Sequence, residues 1–283
     1  MKKYKGITAK KILVVSLLSL SSATLYAADS TDLAKELSNP VANLVSVPFQ
    51  FNFDDNIGAD ENTQRYQLNI QPVIPIELNE NWNLISRTIL PVNYQTYKNT
   101  DKSDDWGTGD IVQSLFFSPS NTGSSGITWG VGTAMLLPTA SEKLLGADQY
   151  GLGPTAVILK QSAGWTFGAL ANHLWAVENH GDVEDVNSTF LQPFMSYTYP
   201  SSLTLTLNSE TTYDWNSKKA TIPINVMATK IVNLNGQLIS VGGGAKYWAH
   251  DTDASPKDFG VVYFHSNNQF KSSQVPYKIF RHI

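Results

Sequence analysis

The charged and amide side chains that could do chemistry in this chain recur on one face of alternating segments. Counting every second residue puts Gln50, Asn52, Gln67, Asn69, Gln71, Arg87, Asn93, Asn172, Asn208, Glu210, Asn225 and Lys246 on that face, with Lys160 a further candidate. Amides both donate and accept hydrogen bonds, so such a lining suits small polar solutes, and Arg87, Glu210 and Lys246 would select by charge. The competing use of Arg87, Lys160, Glu210 and Lys246 is to pair with one another across the enclosed space and fill it.

Catalytic groupings are sparse. A serine hydrolase needs a nucleophile held by a histidine that a third polar group orients. His173 beside Asn172, and His180, are the histidine candidates, but neither has a serine at a recognisable spacing and G-x-S-x-G does not occur. Asp251 and Asp253, or Asp54, Asp55, Asp60 and Glu61, are oxygen donors of the kind Ca²⁺ and Mg²⁺ prefer. We expect them instead to be solvated loop carboxylates, bridged by ions to lipopolysaccharide phosphates. The pairs Gly107/Gly109, Gly130/Gly132 and Gly151/Gly153 lie between no strand and helix, so they read as strand-end or bend glycines rather than a phosphate loop. No catalytic residue, cofactor or metal is expected.

The elements that must position these residues are strands. Val45, Val47, Phe49, Phe51 and Phe53 share one face, opposite Ser46, Gln50 and Asn52. Tyr66, Leu68 and Ile70 alternate with Gln67, Asn69 and Gln71; Leu203, Leu205 and Leu207 with Thr204, Thr206 and Asn208; Ile222, Ile224 and Val226 with Thr221 and Asn225. Segments 82–97, 110–117, 127–137, 151–161, 165–176, 188–199 and 237–248 are noisier. Between the segments, long acidic connections (54–64, 98–109, 138–150, 177–186, 213–219, 250–258) alternate with short, nearly uncharged ones (79–81, 118–126, 163–164, 200–202, 233–236). Segments of ~10 residues with this alternation, joined by long outward loops and tight inward turns, predict an all-β antiparallel transmembrane barrel of about twelve strands. A secreted β-sandwich also alternates, but its long and short connections need not.

Other features fit the same compartment. Charged residues are 16% of the chain, below the ~25% of ordinary soluble domains. The net charge of −4 leaves no basic footprint, so no nucleic-acid partner is expected. Trp82, Phe117, Trp165, Tyr197 and Tyr199 lie beside short turns, and Phe53, Tyr94, Tyr97, Trp175, Tyr213 and Trp215 beside long loops, as two interfacial belts require. Pro48, Pro72, Pro75, Pro91, Pro193 and Pro223 cannot donate to a ladder and predict bulges or interruptions. Residues 1–27 predict a signal peptide, with lysines before an apolar run at 12–20 and a small-residue site at Ala27. Residues 28–42 form a short periplasmic segment holding a small helix at the mouth, capped by Thr31 or Asp32, and 43–260 form the barrel.

The runs NPVANLVSVPFQFNFD (39–54), NWNLISRTILPV (81–92), GDIVQSLFFSP (109–119), GLGPTAVILKQ (151–161), NHLWAV (172–177), TFLQPFMSYTY (189–199) and GGGAKYW (242–248) carry a resemblance. Together they resemble the bacterial outer-membrane proteins grouped as "MetA-pathway of phenol degradation", labelled transporters, over about 39–260. The resemblance implies a barrel in the cell outer membrane, with outer-membrane lipid, lipopolysaccharide and the barrel assembly machinery as partners. It implies aromatic-compound uptake for a few members and no shared catalytic residues. Such barrels end on an amphipathic, aromatic-ending strand, whereas here 261–264 could begin a strand but the polar runs 265–269 and 271–274 follow, and the chain ends in Arg281-His282-Ile283. We expect an atypical tail there, with a frame shift near Val261 as its origin or a divergent terminus as the alternative. The function expected is a passive channel for small solutes; the alternatives are a non-conducting structural or surface-interaction barrel and a lipid hydrolase.

Overall fold

A computed structural model describes residues 27–98, 101–123, 125–177, 184–252 and 255–271. Helix α1 (Ala27–Leu37) precedes fifteen ladder segments, of which three pairs are collinear and merge, leaving twelve strands. These are β1 (Leu44–Ile57), β2 (63–79), β3 (Trp82–Tyr97), β4 (105–119), β5 (Ile127–Leu137) and β6 (Gly151–Ser162). There follow β7 (Trp165–Ala176), β8 (Asn187–Thr198), β9 (203–214), β10 (Lys219–Leu234), β11 (Gln237–His250) and β12 (Phe259–Lys271). Each pairs antiparallel with its sequence neighbours, and β12 returns to β1, from Val261 opposite Phe53 to Lys271 opposite Leu44. Closure leaves no edge, so the backbone can cross lipid with its polar groups satisfied.

The prolines account for the interrupted strands. The β2 ladder breaks at Gln71–Pro72, where the backbone bonds become Gln71 N–H to Pro48 O and Thr88 N–H to Pro72 O. The β9 ladder breaks at Glu210, whose neighbouring strands carry Pro193 and Pro223. A register shift falls between Ile222 and Pro223. Proline has no N–H to give, so the ladder skips where it stands.

The outside is apolar. Val131, Leu152, Ile158, Phe167, Leu205, Val226 and Tyr263 are exposed large side chains on six of the strands. Aromatic pairs mark both rims. Trp82 with Trp129, and Trp165 with Phe167 and Tyr197, lie toward the short turns. Phe53 with Tyr66, Tyr213 with Trp215, and Tyr247 with Phe259 lie toward the long loops. Tyr97 departs from the expected outer belt: it shares the strand parity of the inward Asn93, and its hydroxyl donates to Asp105. Among the described residues no helix is long and apolar enough to cross a membrane, and the strands do the crossing.

Inside the barrel, Val73, Ile85, Phe116, Val157, Leu159 and Leu170 form a dry cluster with Val41, and Phe190 and Phe194 pack against it. An apolar wall on β2–β8 was not expected. In β5 and β6 both faces are apolar or small, so parity carries no polar signal there.

Two expected boundaries move. The barrel does not end at Gly260: β12 runs to Lys271, with Val261 and Tyr263 outward (54% and 50% exposed) and Val262 and Ser266 buried (1% and 0%). The alternation therefore continues past Val261, and the fold does not require a break in the gene there. Pairing on both sides, rather than side-chain hydropathy, holds this strand, since ring closure needs its backbone. Thr31 and Asp32 are not caps, because both lie inside α1. Residues 1–26, with most of the expected signal peptide, and 272–283 lie outside the described residues.

Candidate functional site: the lumen

The upper, loop-side lumen on the β1 wall is built around Asp54. This carboxylate, expected in a solvated loop, is instead an inward residue of β1 and 1% exposed. It accepts from Trp248 Nε1 at 3.1 Å and faces Lys246 Nζ at 3.7 Å and Arg65 at 3.4 Å. Lys246 Nζ also donates to Asn52 Oδ1 at 3.0 Å. The lysine's ionic partner is thus Asp54 rather than Glu210. Residues 44–57 stay paired through Asp54, so the strand is longer than its hydropathy implied. Two of the remaining loop acids take lysines: Asp55 pairs with Lys98 and Glu61 with Lys257. Asp253 and His180 lie outside the described residues, and among the described residues no three acidic or histidine groups converge.

A chain of amides descends from this centre. Gln50 Nε2 donates to Asn52 Oδ1 at 3.2 Å, Gln71 Nε2 to Gln50 Oε1 at 3.1 Å, and Arg87 to Gln71 Oε1 at 3.1 Å. Beside it Gln67 donates to Asn93 at 3.0 Å. On the opposite wall Asn225 Nδ2 reaches Asn208 Oδ1 at 2.7 Å and Glu210 Oε2 at 3.4 Å. Asn69 and Asn172 share the inward parity, opposite Gln50 and Thr155 respectively.

Lys160 is the exception among the expected lining residues. It is exposed on the outer face of β6, because Val157 and Leu159 take the inside. It sits three residues before the turn at Ala163–Gly164, where its stem can cover apolar surface while its ammonium reaches water.

Below the amides lies a cavity of about 200 Å³. Gln50, Gln71, Arg87, Asn208 and Glu210 border it above, and Ala34 and Leu37 of α1 below. Helix α1 is tied across the periplasmic mouth by Thr31 Oγ1 to Pro200 O (3.1 Å) and Gln161 Nε2 to Lys35 O (2.8 Å). Arg87 on β3 and Glu210 on β9 stand six strands apart in the ring of twelve, so they face each other across the lumen. They attract electrostatically, yet neither has an ion-pair partner within 4.0 Å among the described residues. Gln192 and the α1 wall also border this space. No sequence signal marked either, since they reach it only through the closure of the ring.

No protein-family model and no curated protein matches the chain. Its structure is similar to an outer membrane channel from Pseudomonas putida F1, with 12% identity, 80% of this chain and 96% of that one covered, and a TM-score of 0.64. The fold is that of an outer-membrane barrel. NanC porin (10% identity, 80% and 100% covered, TM-score 0.49) and the Escherichia coli outer membrane phospholipase A (12%, 86% and 98%, 0.48) also align. At 12% identity the likeness to the Pseudomonas putida channel establishes architecture alone. Together with the apolar exterior and the two aromatic rims, that architecture places the chain in the outer membrane.

On the outside of this outer-membrane barrel, His173 and Asn172 point to opposite faces, so they cannot work as a pair. His173 Nδ1 lies 2.7 Å from Thr189 Oγ1, which accepts from Trp215 Nε1 at 2.8 Å. The imidazole packs on Trp175 with centroids 4.0 Å apart, and its Nε2 meets no partner among the described residues. Among the described residues no third group orients the ring of this hydroxyl–imidazole pair as a triad requires. We predict that any phospholipid hydrolysis by purified protein is unchanged in His173→Ala; loss of a robust activity in that variant would establish the enzyme reading instead.

Proposed function

We propose that this chain is a narrow outer-membrane channel for small solutes, with selectivity set by the lumen charges. The observation that carries the reading is the cavity lined by amides and two opposed charges inside a closed membrane barrel. About twelve strands fall between eight-stranded barrels filled by side chains and the water-filled porins of sixteen or more. The lumen matches that intermediate size: one wall is dry, the other is polar and hollow. The family resemblance adds small aromatic compounds as cargo, and Phe194 and Phe264 at the cavity offer a ring apolar neighbours.

One observation favours a second reading, a non-conducting structural barrel. Asn52, Asp54, Asn225 and Lys246 are each no more than 5% exposed, so side chains fill part of the lumen above the cavity. Planar-bilayer conductance separates the two. We expect discrete, reproducible steps from purified protein shown to be folded by its heat-modifiable migration on gels. Silence from folded protein would favour the structural barrel.

A further inference from the structure

We propose that the lumen cavity is a binding site for small zwitterionic solutes, with the anionic end held by Arg87 and the cationic end by Glu210. The inference rests on the channel reading for the route by which a solute arrives. It goes beyond that reading in naming the charge pattern of the cargo.

The two charges differ from the others in the lumen. Lys246 and Arg65 both contact Asp54 directly. Arg87 and Glu210 instead look across open space from opposite walls. Among the described residues the guanidinium donates to one side chain, Gln71 Oε1 at 3.1 Å, leaving most of its five N–H groups free of protein partners. The Glu210 carboxylate accepts from Asn225 Nδ2 at 3.4 Å, a long contact for an ionised group. Half-buried charges held apart in this way are matched by a ligand carrying both complements. A singly charged solute leaves one of them unpaired in a space of reduced dielectric, which penalises it. A zwitterion satisfies both and enters without changing the net charge of the lumen.

Size and surroundings agree. A volume of about 200 Å³ exceeds the ~150 Å³ that accommodates a benzene-sized molecule, so a small amino acid fits. Gln50, Gln192 and Asn208 offer further donors and acceptors, while Phe194 and Met227 cover a short aliphatic span. Glu36 of α1 also borders the cavity and adds negative charge beside the mouth. The β9 ladder breaks at Glu210, and the β2 ladder at Gln71–Pro72 beside the Arg87 anchor. The sheet is therefore irregular at the two places that carry the site, as bulged positions near binding sites often are.

The test uses full-length protein refolded in detergent and in vesicles, with binding and influx read separately. The probes are γ-aminobutyrate and its near-isosteres butyrate, butylamine and butyramide, with glycine and β-alanine to bracket the span. We expect the best zwitterion to bind about tenfold more tightly than any of the three near-isosteres, the effect of one added charge-assisted contact. Arg87→Gln should lose that preference and favour butylamine, and Glu210→Gln should lose it and favour butyrate. The exchange Arg87→Glu with Glu210→Arg should keep the zwitterion preference, which distinguishes loss of the site from failure to fold. Equal binding of all probes by folded wild-type protein would overturn the proposal, as would an unchanged preference in Glu210→Gln. Conductance without discrimination leaves the channel standing and sinks the site; zwitterion binding without conductance does the reverse.

Discussion

Replacing Asp54 by alanine is expected to cost about 3–5 kcal/mol of barrel stability, the usual penalty for breaking a buried ion pair from one side. Asp54 is 1% exposed and is the common partner of Lys246, Arg65 and the Trp248 indole. Its removal strands the Lys246 ammonium, itself 5% exposed, with Asn52 Oδ1 as its remaining polar contact among the described residues. The measurement is the urea midpoint for loss of heat-modifiable migration in vesicles. A companion variant, Asp54→Leu with Lys246→Met, should recover most of the loss, because replacing both charges removes the desolvation penalty with them. If Asp54→Ala unfolds at the wild-type midpoint, the cluster is hydrated and the upper lumen is wetter than its burial implies.

The second large effect lies on the opposite surface. Val226→Arg, midway along β10, is expected to destabilise the inserted barrel by about 2–4 kcal/mol, the cost of a cationic side chain on a barrel's lipid face near the bilayer centre. Val226 is 59% exposed, so a barrel surrounded by water would tolerate the change almost freely. Its neighbour Asn225 is 1% exposed and faces inward. The same assay in vesicles, compared with detergent micelles, reads the difference. A negligible shift in vesicles would mean that this face does not meet hydrocarbon.

How much of this was legible beforehand depended on contrast between the two faces of each strand. In β1, β2, β9 and β10 apolar and polar residues alternate, and the inward placements of Gln50, Gln67, Asn208 and Asn225 follow directly. In β6 the inward residues Val157 and Leu159 are as apolar as the outward Ile158, and parity was lost. Lys160 stood out only because it is charged, and its charge pointed to the wrong side. The polar run 265–269 misled in the same manner. It hid a strand whose place is secured by hydrogen bonds to β1 and β11 rather than by its side chains.

The sequence by itself determined the class of fold, the alternation of long and short connections and the face on which the well-patterned strands carry their polar residues. These are local properties: side chains alternate with a period of two along any strand, whatever the strand later pairs with. Only the tertiary structure decided which charges meet. Asp54 joins Lys246 across 192 residues, and Arg87 faces Glu210 across six strands. Such relations depend on register and on ring closure, which sum small choices over the whole circuit. They decide whether a charge is paired, as at Asp54, or left facing open space, as at Glu210.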